Sequence, residues 1–127
     1  MQIPVRWGDM DSLGHVNNAM YFRYFETVRM EWFEKLREMS PGCGDDGIVI
    51  VDNHAEYLLP VVCPATALVR MGGHSPRRSS FVSTYTLIVD GTLTTRGQAR
   101  IVWVNNHDMK STPLPPYVRQ LVDTEKG

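Results

Sequence analysis

The stretch Val5 to Arg29, VRWGDMDSLGHVNNAMYFRYFETVR, sets two aspartates and a histidine, Asp9, Asp11 and His15, just before Asn17 and Asn18. Asn is a good helix N-cap, so this carboxylate-bearing loop runs into a helix start. The free N–H groups and the dipole of such a terminus favour developing negative charge. Acyl transfer needs donors of that kind, and losing one oxyanion donor typically costs roughly 3–4 kcal/mol. Asp11, seven residues before Asn18, can activate water as a general base or attack a carbonyl itself. Thioesters suit such modest equipment, because their carbonyl is more reactive than an amide's and thiolate leaves readily. A loop aspartate can equally cap a turn or sit solvated, and both readings of Asp11 stand at this stage.

The other polar residues have two readings each. Asp9, Asp11 and His15 spell D-x-D-x3-H, which could hold a metal, but no second carboxylate or histidine cluster accompanies it; no metal and no cofactor is expected. Asp9 is expected to pair with Arg6 or to cap the loop. His15 either orients substrate or water, or hydrogen-bonds in the wall. Asn17 and Asn18 read as caps, and with Asn18 in the first turn its backbone N–H is the natural oxyanion donor. Arg77, Arg78, Ser79 and Ser80 form the one local basic cluster, either a solvated loop or a grip on phosphates. For an acyl-CoA that would be the nucleotide end. Glu26 and Arg29 are spaced to pair near the buried face. His54, His74 and His107 are scattered and read as surface or loop residues. Met20, Met30 and Met71 could line an acyl pocket or pack in a core.

The elements that must position these groups follow from periodicity. Gln2 to Trp7 alternates as a short strand, with Pro4 marking a start or an edge. Gly8 to Gly14 is loop. From Asn17 or Asn18, Tyr21, Phe25, Val28, Trp32 and Leu36 trace one helical face, widened by Phe22, Met30 and Phe33. Glu31 and Lys35 make an i,i+4 pair on the other side. Ser40-Pro41-Gly42 ends the helix, and Cys43 to Gly47 is a flexible loop. Then strands follow: Ile48 to Val51 and Ala55 to Leu59, one strand or two halves of one with a bend at Asp52-Asn53, then Thr66 to Met71 ending at Gly72-Gly73, Phe81 to Val89, and Thr92 to Asn105. Asp90-Gly91 is a two-residue hairpin signal. Leu93, Thr95, Gly97, Ala99, Ile101 and Trp103 share one face of the last strand. Tyr117 to Val122 closes the chain with one or two helical turns. One long helix against a single sheet predicts that the sheet curls around it, an α+β fold. The sheet keeps two edges, and pairing edges between chains predicts a dimer.

Composition narrows the class. The chain has 127 residues, 43% of them hydrophobic, with 13 basic and 14 acidic side chains and a net charge of -1. That is enough for one core and one domain, residues 1–127, and gives no general basic field for nucleic acid. Cys43 and Cys63 have no paired spacing and read as reduced thiols. No apolar run approaches the ~18 residues of a membrane span. The N-terminus has no signal-peptide apolar core. A cytoplasmic protein is expected.

RWGDMDSLGHVNNAMYFRYFETVR resembles the signature of the 4-hydroxybenzoyl-CoA thioesterase family within the hotdog-fold superfamily: an aspartate pair, a glycine, then a helix with a tyrosine, a glutamate and an arginine. PRRSSF, the Asp90-Gly91 hairpin, RGQARIVWV and PLPPYV extend the likeness over almost the whole chain. The resemblance implies a hotdog fold, one long central helix wrapped by a curved antiparallel sheet of about five strands. It implies a homodimer or homotetramer with sites at the dimer interface. It implies that Asp11 is the catalytic carboxylate and that the N–H at or near Asn18 polarises the thioester carbonyl. Arg77, Arg78, Ser79 and Ser80 match a region that often contacts CoA in this family. GHVNN also resembles acyl-carrier-protein thioesterases, in which D-x-N-x-H-V-N-N supplies an Asn and a His; here the Asn position is Leu13. CoA and acyl carrier protein both stand as carriers. A hotdog hydratase or dehydratase acting on acyl thioesters and a non-catalytic acyl-CoA-binding module are the competing functions.

Overall fold

The structure is a computed structural model and describes residues 1–39 and 46–124. In chain order it contains β1 (Gln2–Val5), α1 (Asn18–Met39), β2 (Asp46–Tyr57), β3 (Ala65–His74), β4 (Ser80–Val89), β5 (Thr92–Asn105) and α2 (Pro116–Thr124). The strands form one antiparallel sheet in the order β1-β3-β4-β5-β2. The sheet curls around α1, which is the hotdog arrangement and an α+β fold.

The helix forms where its apolar spacing and its cap agree. Asn17 Oδ1 accepts from the Ala19 N–H at 2.9 Å, so Asn17 is the cap and Asn18 the first helical residue. Tyr21, Tyr24, Phe25, Val28, Phe33 and Leu36 are buried along one side. The first half of α1 packs on Val61, Val69, Tyr85, Leu87 and Ala99; the second half packs on Phe81, Ile101, Trp103 and α2. Each fully buried side chain of this size contributes about 1.5–3 kcal/mol. The outward Glu31–Lys35 pair, at 3.0 Å but well exposed, is worth at most about 0.5 kcal/mol. Packing therefore holds the helix. Gly97 is part of that packing: a Cβ there would stand 2.4 Å from the Phe25 ring.

Several boundaries differ from the sequence reading. β1 stops at Val5 because the Asp9 carboxylate captures the Arg6 N–H at 3.0 Å and winds Trp7–Asp9 into a 3-10 turn. Trp7 thus leaves the strand and is 83% exposed. β2 is one continuous strand with a bulge between Ile50 and Asp52, and it ends at Tyr57 rather than Leu59. Gly72 and Gly73 are not a strand end: they pair with Thr84 and Ser83 inside β3. At Gly73 the Phe81 ring lies 3.1 Å from where a Cβ would be. On β5, a register shift opposite Leu87/Ile88 takes Leu93 out of phase with Thr95 and buries Thr94. The hairpin falls at Asp90 (φ 51°) and Gly91 (φ 78°), both left-handed as a type I′ turn requires. Arg29 does not pair with Glu26. It is buried, and its Nη1 donates to the Tyr85 hydroxyl at 3.0 Å, while Glu26 is exposed. The helix stop at Ser40-Pro41-Gly42, and Cys43 with it, lies outside the described residues. No helix among the described residues is long and apolar enough to cross a membrane.

Candidate active site

The two aspartates separate into different environments. Asp9 is 1% exposed and saturated. It accepts from the Arg6 backbone at 3.0 Å, from Arg6 Nε and Nη2 at 3.2 and 2.9 Å, and from the Tyr24 hydroxyl at 2.8 Å. Burial alone would raise the Asp9 carboxyl, but these donors and the nearby guanidinium outweigh it and hold the group below the ordinary carboxylate value. Burial, followed by the bond to Asp9, pushes the Tyr24 phenol up. Asp9 is thus a structural fastener, paired with Arg6 as its spacing suggests. Its carbonyl also accepts the Asn17 N–H at 2.9 Å, tying the fastener to the helix start.

Asp11 lies on a small closed loop. Its N–H donates to the His15 carbonyl at 2.8 Å, and its carbonyl accepts from Gly14 at 3.2 Å. Gly14 has φ 82°. Asp11 Oδ1 accepts from the Leu13 N–H at 2.9 Å and from the His15 N–H at 3.4 Å. The carboxylate is partly exposed, and its described hydrogen bonds all fall on one oxygen. The Val16 N–H donates to the Val61 carbonyl at 2.8 Å, which seats the loop on the β2–β3 connection. Cys63 is absorbed by the same seat: its thiol donates to the Val5 carbonyl at 3.4 Å, and its N–H meets Met10 Sδ at 3.3 Å.

Two main-chain donors on this stretch are left over. Among the described residues, every N–H from Met10 to Met20 has an acceptor except those of Ser12 and Asn18. Asn18 borders a pocket of about 230 Å³, lined also by His15, Val16, Tyr21, Tyr57 and Leu58-Leu59-Pro60. Tyr21 and Tyr57 meet edge-on there, with ring centroids 4.9 Å apart. Burial raises the Tyr21 phenol, tempered by a backbone hydrogen bond at Val61; Tyr57 and the Asp11 carboxylate add smaller upward pushes. His15 is exposed on the rim. His15 and Asn18 border this pocket, and the Asp11 carboxylate accepts the His15 N–H on the adjoining loop. Tyr21 and Tyr57 belong to the same place; Tyr21 read as core in the sequence, and Tyr57 as one residue of a strand.

The basic cluster stands elsewhere. β3 runs from Ala65, opposite Val5, to His74, just before the Arg77 loop. At ~3.3 Å per residue that separates Arg77 and Arg78 from the aspartate loop by about 30 Å within one chain. Arg77 and Arg78 are exposed. Their carbonyls are held, by Arg119 Nη2 at 2.6 and 3.4 Å and, for Arg78, by the Leu114 N–H at 2.8 Å. Ser79 is half-buried, whereas Ser80 is buried and its hydroxyl meets Arg100 Nη1 at 3.4 Å. Among the described residues no group of three or more His, Cys, Asp or Glu side chains gathers as metal ligands would.

A family model described as the thioesterase-like superfamily matches residues 5–122. The chain is similar to the structure of the PA2801 protein of Pseudomonas aeruginosa, provisionally assigned as a thioesterase, with 39% identity, a TM-score of 0.83 and 94% of each chain covered. It is similar to a thioesterase of Thermus thermophilus solved with coenzyme A and zinc, with 27% identity, a TM-score of 0.79, and 96% of this chain and 89% of that one covered. Over 61 residues it is 36% identical to the uncharacterized protein YsmA of Bacillus subtilis (strain 168), a stretch spanning 48% of this chain and 41% of that protein.

Proposed function

This chain belongs to the thioesterase-like superfamily, and from that premise we propose that it hydrolyses an acyl-CoA thioester to the free acid and CoA. The observation that carries this reading is the Asn18 N–H, left without an acceptor among the described residues, at a pocket rim beside the Asp11 loop. In the proposed reaction the thioester carbonyl oxygen accepts from that N–H. Asp11 takes a proton from water, and the resulting hydroxide adds to the carbonyl carbon. The helix start holds the oxyanion. Collapse breaks the carbon–sulfur bond, and the proton on Asp11 passes to the departing thiolate. Direct attack by Asp11 would give an acyl-enzyme anhydride that water then opens, with the same products. His15, on the rim, orients the water or the acyl group.

Arg77, Arg78 and Ser79 are the proposed phosphate contacts; Ser80 serves by holding Arg100 in the same region. The ~30 Å between these groups and Asp11 supports a homodimer, or a tetramer built from dimers, in which two chains complete each site. CoA fits an arginine pair well, and the thioesterase from Thermus thermophilus was solved with it. The test is Asp11→Asn on a panel of aryl, short-chain and long-chain acyl-CoAs, with free thiol as the readout. Loss of thiol release by about 10²- to 10⁴-fold is expected. Unchanged kcat refutes the role of Asp11, a change in enoyl absorbance without thiol identifies a hydratase, and saturable binding without turnover identifies a binding module.

A further inference from the structure

Tyr57, the last residue of β2, touches the helix start from the sheet. Its hydroxyl donates to the Asn18 carbonyl at 3.2 Å. Its ring stands edge-on to Tyr21 and lines the same pocket. In an α-helix that carbonyl already accepts the N–H four residues on, so Tyr57 supplies a second donor to it. The same residue, Asn18, offers an N–H that has no acceptor among the described residues. The flanking donors are spent locally: Ala19 on Asn17 Oδ1 and Met20 on the Asn17 carbonyl, both at 2.9 Å. These bonds fix the cap, but they come from within the first turn. Tyr57 comes from a strand 39 residues away and references the turn to the sheet. Burial raises the Tyr57 phenol, which keeps it a protonated donor through neutral pH.

We propose that Tyr57 is a positioning residue for the hydrolysis: by gripping the Asn18 carbonyl it fixes the direction of the Asn18 N–H, while its ring bounds the acyl pocket. The role rests on the hydrolase reading given above. An oxyanion donor works within a narrow distance window, and misplacement by about 1 Å can cost on the order of 10²-fold.

The test is Tyr57→Phe, which removes the hydroxyl and keeps the ring. kcat is expected to fall roughly 3- to 10-fold, the range of one ordinary hydrogen bond. KM, and the affinity for a non-hydrolysable thioether analogue of the substrate, should not change. The amide-nitrogen resonance of Ala19, which shares a peptide unit with the Asn18 carbonyl, should move. Tyr57→Leu, which also removes the wall, should raise KM as well. Wild-type kcat in Tyr57→Phe, with Asp11→Asn inactive, overturns the role of Tyr57 alone. So does a loss of kcat with the Ala19 resonance unmoved. Undiminished hydrolysis by Asp11→Asn overturns the hydrolase reading and this role with it.

Discussion

Tyr24→Phe isolates the fastener under the site. The substitution keeps the ring packed and deletes one of four hydrogen bonds to a carboxylate that is 1% exposed. A bond to a charged group is worth about 1.5–3 kcal/mol, and the Arg6 donors that remain favour the lower part, about 1.5–2 kcal/mol. Unfolding entropy near 2.1 cal/mol/K per residue gives a 127-residue chain about 0.27 kcal/mol/K, so Tm should fall by about 6–7 °C. The loss should also depend on pH. The Asp9 carboxyl is held below its ordinary value. A depressed carboxyl contributes stability that is fully present above the unfolded value, ~3.9, and is lost as pH falls through the folded value. Removing Tyr24's hydroxyl raises that folded value. The gap between variant and wild type is therefore full at about pH 7 and shrinks below about pH 4. Thermal unfolding followed by circular dichroism across this range measures both. A drop under about 2 °C at neutral pH, or a gap that stays constant into acid, refutes the reasoning.

Arg77→Ala combined with Arg78→Ala should leave Tm unchanged, because Arg119 and Leu114 hold main-chain carbonyls there rather than the arginine side chains. The pair should raise KM for acyl-CoA and flatten its salt dependence, with hydrolysis of an acyl-pantetheine untouched; steady-state kinetics at two ionic strengths decide it. Gly97→Ala drives a methyl to 2.4 Å from Phe25 and should cost about 1–3 kcal/mol, read as a Tm lower by about 4–11 °C.

Most of α1 was legible because its determinants are local. The spacing of Tyr21, Phe25, Val28 and Leu36 and the capping Asn17 all lie within the segment they describe. The same holds for β5, whose bounds at Thr92 and Asn105 follow from the Asp90-Gly91 turn and the β-branched run. The misses involve distant partners. Gly72-Gly73 looks like a turn until Phe81 is placed over it. Arg29 looks paired with Glu26 until Tyr85, 56 residues away, takes its guanidinium. Trp7 continues a strand by alternation, but one side-chain bond from Asp9 to the Arg6 N–H ends the strand first. At the site, the preference for Asp11 over Asp9 came from position and resemblance, and the structure adds the contrast between a saturated and a partly exposed carboxylate. Tyr57 carried no signal in the sequence, because nothing local says that a strand end will meet a helix start.

The loop from Asp11 to Asn18 is short in sequence, but what seats it comes much later: Tyr57 on Asn18, Val61 on Val16, and Cys63 on Met10 and Val5, at separations up to 58 residues. Contacts of that span form only after long loops have closed. A chain emerging during synthesis would hold the whole motif, and could even wind its helix, long before it could hold the site. The pocket can assemble only once the β2–β3 connection has folded back, so competence arrives with the sheet and not with the segment that bears the signature.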